Sequence, residues 1–141
     1  MLDMDEGVDE PLGYLLHRVA TSLRAEVTTT VLEPAGLSFP QYICMRILSR
    51  MPGQSNADLA RDVMVSPQAM NMVVRGLQDR GLVTRPETVA SGRSRPAELS
   101  RDGLALLRRI DGGVREAERH VLDPLTPSQR AEFKKLLAAL G

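Results

Sequence analysis

The stretch SNADLARDVMVSPQAMNMVVRGLQDRGLVTR, residues 55–85, decides how this chain folds. Ser55-Asn56-Ala57-Asp58 places a capping serine ahead of a short helical pattern that runs to about Val63. Ser66-Pro67 repeats the signal, with proline at the first helical position, where its missing N–H is no loss. That helix reads on to Arg80, and Gly81 closes it. Only Met64-Val65 lies between the two, so the spacing predicts a helix-turn-helix. Within 66–80, Ala69, Met70, Val73, Val74 and Leu77 recur at intervals that bury one face. Gln68, Asn71, Met72 and Arg75 fall on the other.

Towards the C-terminus, Leu82 to Arg85 reads as a strand, and 89–94 is a small, polar, glycine-containing loop. Arg95 to Leu99 can return as the second strand, but Pro96 inside it keeps the hairpin short or at an edge. Ser100 then caps a long helix to about Val121. Thr126-Pro127-Ser128-Gln129 opens a last one, with Phe133, Leu136, Leu137 and Leu140 on one stripe. Towards the N-terminus, Ser38-Phe39-Pro40-Gln41 has the form of a capping box for a helix through about Met51. Pro11 to Leu32 reads as a first helix, with Leu12, Leu15, Leu16, Val19 and Leu23 at helical spacing. Glu33-Pro34-Ala35-Gly36 stops it. The expected fold is mainly α with a small β-hairpin wing, a winged helix-turn-helix flanked by further helices.

Composition sets the outer bounds. With 141 residues, 43% of them hydrophobic and 26% charged, the chain suits one globular domain. No apolar run is long enough to span a bilayer, and the start is acidic where a secretory signal would be basic. A cytoplasmic protein without a membrane partner is the expectation. Residues 1–10 hold five acids and no base, which leaves the remainder with 18 basic against 13 acidic residues, a net of +5. Residues 66–95 hold five arginines against Asp79 and Glu87, a net of +3. Local positive charge draws phosphates even in a neutral chain, although mixed charge is also what a solvated surface looks like.

The chemistry sits in the helix-turn-helix and the hairpin. Asn and Gln pair bidentately with adenine and Arg with guanine, so Gln68, Asn71 and Arg75 suit base edges. Ser55 starts the supporting helix, and Ser66 and Pro67 begin a helix whose free N–H groups can hold a phosphate. Arg93 and Arg95 at the hairpin tip suit the neighbouring minor groove or its phosphates. The alternative for each is a plain solvated face. Taken together, the two elements favour double-stranded DNA. A protein-interaction winged helix is the rival, though such modules often lose the polar face and basic tip that this chain keeps. Enzymatic function is not expected. There is no glycine-rich phosphate loop, no Gly-x-Ser-x-Gly elbow and no cluster of His with carboxylates.

Several segments in this order resemble the multiple-antibiotic-resistance regulator (MarR) family. Gly36-Leu37-Ser38-Phe39-Pro40-Gln41-Tyr42 is similar to the lead-in of its second helix, and Ser55 to Ala60 to that of its third. Ser66 to Leu77 with Asp79-Arg80-Gly81-Leu82-Val83 resembles its recognition helix and the exit to the wing. Leu99-Ser100-Arg101-Asp102-Gly103 matches its L-T-x-x-G, and Leu125 to Gln129 its final helix start. Two positions depart. Ser91-Gly92-Arg93 lacks the acid of the family's Asp-x-Arg pattern, which puts the usual wing-bracing salt bridge in question. Met72 stands where many relatives carry Arg or another polar residue. It has two readings, against a thymine methyl or tucked against the protein.

The resemblance implies a single 1–141 unit. In it 37–100 forms the DNA-binding lobe, 11–34 and 101–141 dimerise, and 1–10 is a flexible acidic start. It implies a homodimer on an inverted-repeat operator, with recognition helices about 34 Å apart. It also implies a repressor released by a small aromatic or phenolic anion bound between the dimer helices and the lobe. By position, the candidates for that anion are Tyr14, His17, Arg18, Tyr42 and Arg46. The bland reading makes the tyrosines core or interface and the arginines surface. A rival trigger is redox chemistry at Cys44, the lone cysteine, although a buried inert thiol suits its place early in a helix. His17 and His120 are far apart without ligand-spaced neighbours, so no metal or other cofactor is expected.

Overall fold

The computed structural model describes residues 8–85 and 96–141. Six α-helices and one two-stranded hairpin follow in the order α1 (Leu12–Val27), α2 (Phe39–Arg50), α3 (Asn56–Val63), α4 (Pro67–Asp79), β1 (Val83–Thr84), β2 (Glu98–Leu99), α5 (Arg101–Val121) and α6 (Pro127–Leu140). Five of the six are started by a hydroxyl cap. Ser38, Ser55, Ser66, Ser100 and Thr126 each accept the N–H three residues on. At Ser38 and Thr126 the glutamine side chain reaches back to complete the capping box.

The first helix is not uniform as the periodicity suggests. Beyond Val27 it widens into a π-helical turn over Thr28–Leu32, closed by Glu33 N–H donating to the Thr28 carbonyl at 2.9 Å. Five β-branched residues in a row, Val27 to Val31, crowd a regular α-helical turn. The wider one seats both Val31 and Leu32 in the core. Val31 can enter because Gly113 faces it from α5, where an added Cβ would lie 3.2 Å from the Val31 side chain.

The lobe closes around Met45 and Leu48 from α2, Leu59 from α3, Met70, Val74 and Leu77 from α4, and Leu107 from α5, all essentially inaccessible. The hairpin pairs Val83 with Leu99 and Thr84 with Glu98, antiparallel. Ala97 bridges to Gln54 beyond it. The strands are two residues each, in keeping with Pro96 at the start of the return. Between α3 and α4, Met64 adopts φ +63°, a left-handed turn conformation unusual for a side chain of this size.

Candidate nucleic-acid interface and effector cavity

Helix α4 presents the surface that the sequence marks. Met70, Val74 and Leu77 are buried, while Ser66, Pro67, Gln68, Asn71, Met72 and Arg75 are exposed. Met72 is 77% exposed, so of its two readings the one that tucks it against the protein is not what the structure shows. Among the described residues no carboxylate pairs with Arg75. Its guanidinium stays available to a base or phosphate. Ser55 does its work one layer back, capping α3 through the Asp58 N–H at 3.1 Å. Arg93 and Arg95 lie outside the described residues.

Both ends of α4 are tied down. At the C-terminal end, Arg80 donates to the carbonyls of Gly36 at 2.8 Å and Ala35 at 3.0 Å, which joins it to the turn leading from the first helix. At the N-terminal end, Asn56 donates to the Pro67 carbonyl at 3.2 Å. Neither tie was identified from the sequence. In the sequence Arg80 stands at the end of the helix and within the Asp79–Val83 motif, with nothing that marks its partners.

The five residues put forward for an anion fall in two hollows. Tyr14, His17 and Arg18 are exposed on α1 and line a groove with Val19, Val121 and Leu122. Tyr42 and Arg46 line a separate cavity of about 360 Å³ where α1, α2 and α5 meet. That cavity also holds Arg24, stacked 4.9 Å above the Phe39 ring, and Glu118. Arg24 and Phe39 were missed. Arg24 lies on the helical repeat 17, 20/21, 24, so the stripe was legible but not how far along α1 the cavity opens.

Arg46 is already engaged. It donates to Asp111 of α5 at 2.5 Å and to the Tyr42 hydroxyl at 2.9 Å, so it fastens the lobe to the long helix. The hydrogen bond from Arg46 holds the Asp111 carboxyl below its ordinary value against a smaller desolvation effect, and the charge of Arg115 adds to the lowering. Among the described residues no carboxylate is within ion-pair distance of Arg24. Cys44 is fully buried, and desolvation pushes its thiol up to about 11, partly offset by the charge of Arg85. Very little of it is thiolate near neutral pH, so the structure gives no support to redox sensing there. His120 sits 3.0 Å from Glu26, and the described residues contain no cluster able to hold a metal ion.

This arrangement has close counterparts. The chain is 52% identical over 133 residues to the HTH-type transcriptional repressor Rv2887 of Mycobacterium tuberculosis (strain ATCC 25618 / H37Rv), covering 94% of this chain and 95% of that one. This chain belongs to the MarR family. The MarR family model matches residues 37–94. The crystal structure of Rv2887 in complex with salicylic acid superposes with a TM-score of 0.80 at 51% identity, over 96% of this chain and 99% of that one. The structure of Rv2887 in complex with DNA gives 0.78 at 48% identity, over 94% and 99%.

The MarR motif at 99–103 now has a physical reason. Ser100 donates to the Gly81 carbonyl at 2.6 Å while capping α5, which draws the start of α5 onto the exit of α4. A Cβ at Gly103 would lie 2.2 Å from the Leu82 carbonyl oxygen and 2.7 Å from Leu99. Only glycine fits there. No helix among the described residues is long and apolar enough to cross a membrane.

Proposed function

We propose that this protein is a homodimeric, double-stranded-DNA-binding transcriptional repressor that acts in the cytoplasm and has no enzymatic activity. Residues 37–100 serve as the DNA-binding lobe, and the flanking helices, 11–34 and 101–141, join two copies. The observation that carries the reading is the exposed polar face of α4, with Gln68, Asn71, Met72 and Arg75 outward over a buried apolar stripe. Ser66 and Pro67 lead that face, and Ser55 supports it from α3. Arg93 and Arg95, which lie in sequence between the two strands, would add phosphate contacts. Rv2887, the relative crystallised with DNA, supports the same use of this lobe.

Apolar side chains left outside the core support the dimer. Leu12, Leu16, Leu136, Leu137 and Leu140 are exposed. An apolar hollow of about 520 Å³ opens between α1, the end of α5 and α6. A two-fold pair reads an inverted-repeat operator.

The effector is a small aromatic or phenolic anion, as the salicylic acid complex of Rv2887 supports. In the cavity between α1, α2 and α5, Arg24 is available for the carboxylate, Phe39 and Tyr42 for the ring, and Arg46 once it leaves Asp111. Tyr14, His17 and Arg18 extend the binding surface along α1. Release of DNA requires only that the anion bind better to the arrangement that cannot span two major grooves.

The test is a gel shift on the DNA upstream of the protein's own gene, with and without salicylate. The expected result is a sharp, salt-sensitive shift that salicylate abolishes. Failure to shift that DNA or a genomic fragment pool would defeat the reading in favour of a protein-interaction module.

A further inference from the structure

Asn56 is the first residue of α3, half-buried and one position beyond the capping Ser55, so the cap is complete without its side chain. Both ends of its amide are nevertheless used. Nδ2 donates to the carbonyl of Pro67, the first residue of α4, at 3.2 Å. Oδ1 accepts from Nη2 of Arg85, the residue that follows β1, at 3.2 Å. Only this orientation of the amide serves both partners. Turned over, it would set NH₂ against a guanidinium and a carbonyl against a carbonyl. Pro67 has no N–H of its own, so its carbonyl is the backbone hydrogen-bonding group that this residue can offer to α3, beside the Ala69 N–H that the Ser66 cap already holds.

We propose that Asn56 is a positioning residue that holds the N-terminus of α4 and the base of the hairpin in one fixed relation. The two elements that would face DNA then present their side chains as a single surface. This rests on the DNA-binding reading above and adds a residue that does not itself need to touch DNA. Gln68 and Asn71 lie within the turn and a half that Asn56 anchors. A small displacement there spoils base-edge geometry, whereas phosphate contacts tolerate it.

The side chain's two bonds can be separated. Asn56→Ala removes both. Asn56→Asp keeps a partner for Arg85 but turns an acceptor on the Pro67 carbonyl, and Arg85→Met leaves the Pro67 bond intact while removing the one to the hairpin. Each variant is purified, checked by circular dichroism, and titrated by fluorescence anisotropy against two duplexes. One is selected by the wild-type protein from a random-sequence pool, and the other is a scramble of it.

The expected result is a drop of about tenfold in the selected-to-scrambled affinity ratio for Asn56→Ala and Asn56→Asp, with scrambled binding unchanged. Part of the effect of Arg85→Met should disappear in the Asn56→Ala background, because its bond to Asn56 is already gone there, and what persists belongs to the other interactions of Arg85. A merely structural role would lower the melting temperature and leave the ratio intact. A ratio within twofold of wild type in the variants that fold overturns the proposal. If Asn56→Ala does not fold, Asn56→Asp and Arg85→Met decide it. A wild-type protein that selects no duplex defeats the DNA-binding reading and this proposal with it. Selection by the wild type with unchanged ratios in the variants defeats the proposal alone.

Discussion

Helices α4 and α6 are close to the same length, open with the same hydroxyl-proline pair and carry an apolar stripe each, yet they end in opposite situations. In α4 the stripe of Met70, Val74 and Leu77 is buried by the rest of the lobe. In α6 no residue is buried, and Leu136, Leu137 and Leu140 face outward. Among the described residues its one ion pair to α5 is Lys134 with Glu118 at 3.5 Å. Amphipathicity states only that a face wants covering. Whether the cover belongs to the same chain is decided by what the neighbouring elements leave open.

That contrast can be broken in order of expected effect. Leu136→Asp puts a carboxylate on the stripe of α6. In sedimentation analysis it should convert the dimer to monomer, with operator affinity falling by at least about a hundredfold. A variant that stays dimeric and binds normally would place the interface elsewhere. Met70→Ala acts on the other stripe. It should cost about 3 kcal/mol in chemical unfolding, since a large buried side chain is lost from a closed core, while leaving the subunits associated. Met64→Gly, in the turn before α4, should stabilise the lobe by up to about 1 kcal/mol in the same assay. It relieves a left-handed conformation, though the freer unfolded chain offsets part of the gain. A loss of stability there would show that the exposed Met64 side chain makes contacts worth more than the strain.

The sequence was most legible where chemistry is local. Caps at Ser38, Ser55, Ser66, Ser100 and Thr126 announce themselves through residue types at fixed offsets, and the buried stripe of α4 through periodicity. The departures come from contacts distant in sequence. The π-helical turn at 28–32 depends on Gly113, some eighty residues on, leaving room for Val31. The tie between Arg46 and Asp111 spans 65 residues, and that between Arg80 and Gly36 spans 44. No spacing rule joins such pairs. The effector candidates show the same limit, since helical period gave the side of α1 but not the depth of the cavity. Gly103 stands between the cases. Its place in a motif was plain, and its reason, a carbonyl of Leu82 where a methyl would go, needed three dimensions.

The bare stripe of α6 also bears on how such a repressor would respond to its own synthesis. If only the two-chain form spans two half-sites, its amount below the dissociation constant varies with the square of the monomer concentration. Halving the monomer concentration by growth without new synthesis would then lower the operator-competent species about fourfold. A helix with nothing to cover it would thus sharpen the threshold at which the regulated promoter opens, with no cooperativity on the DNA itself.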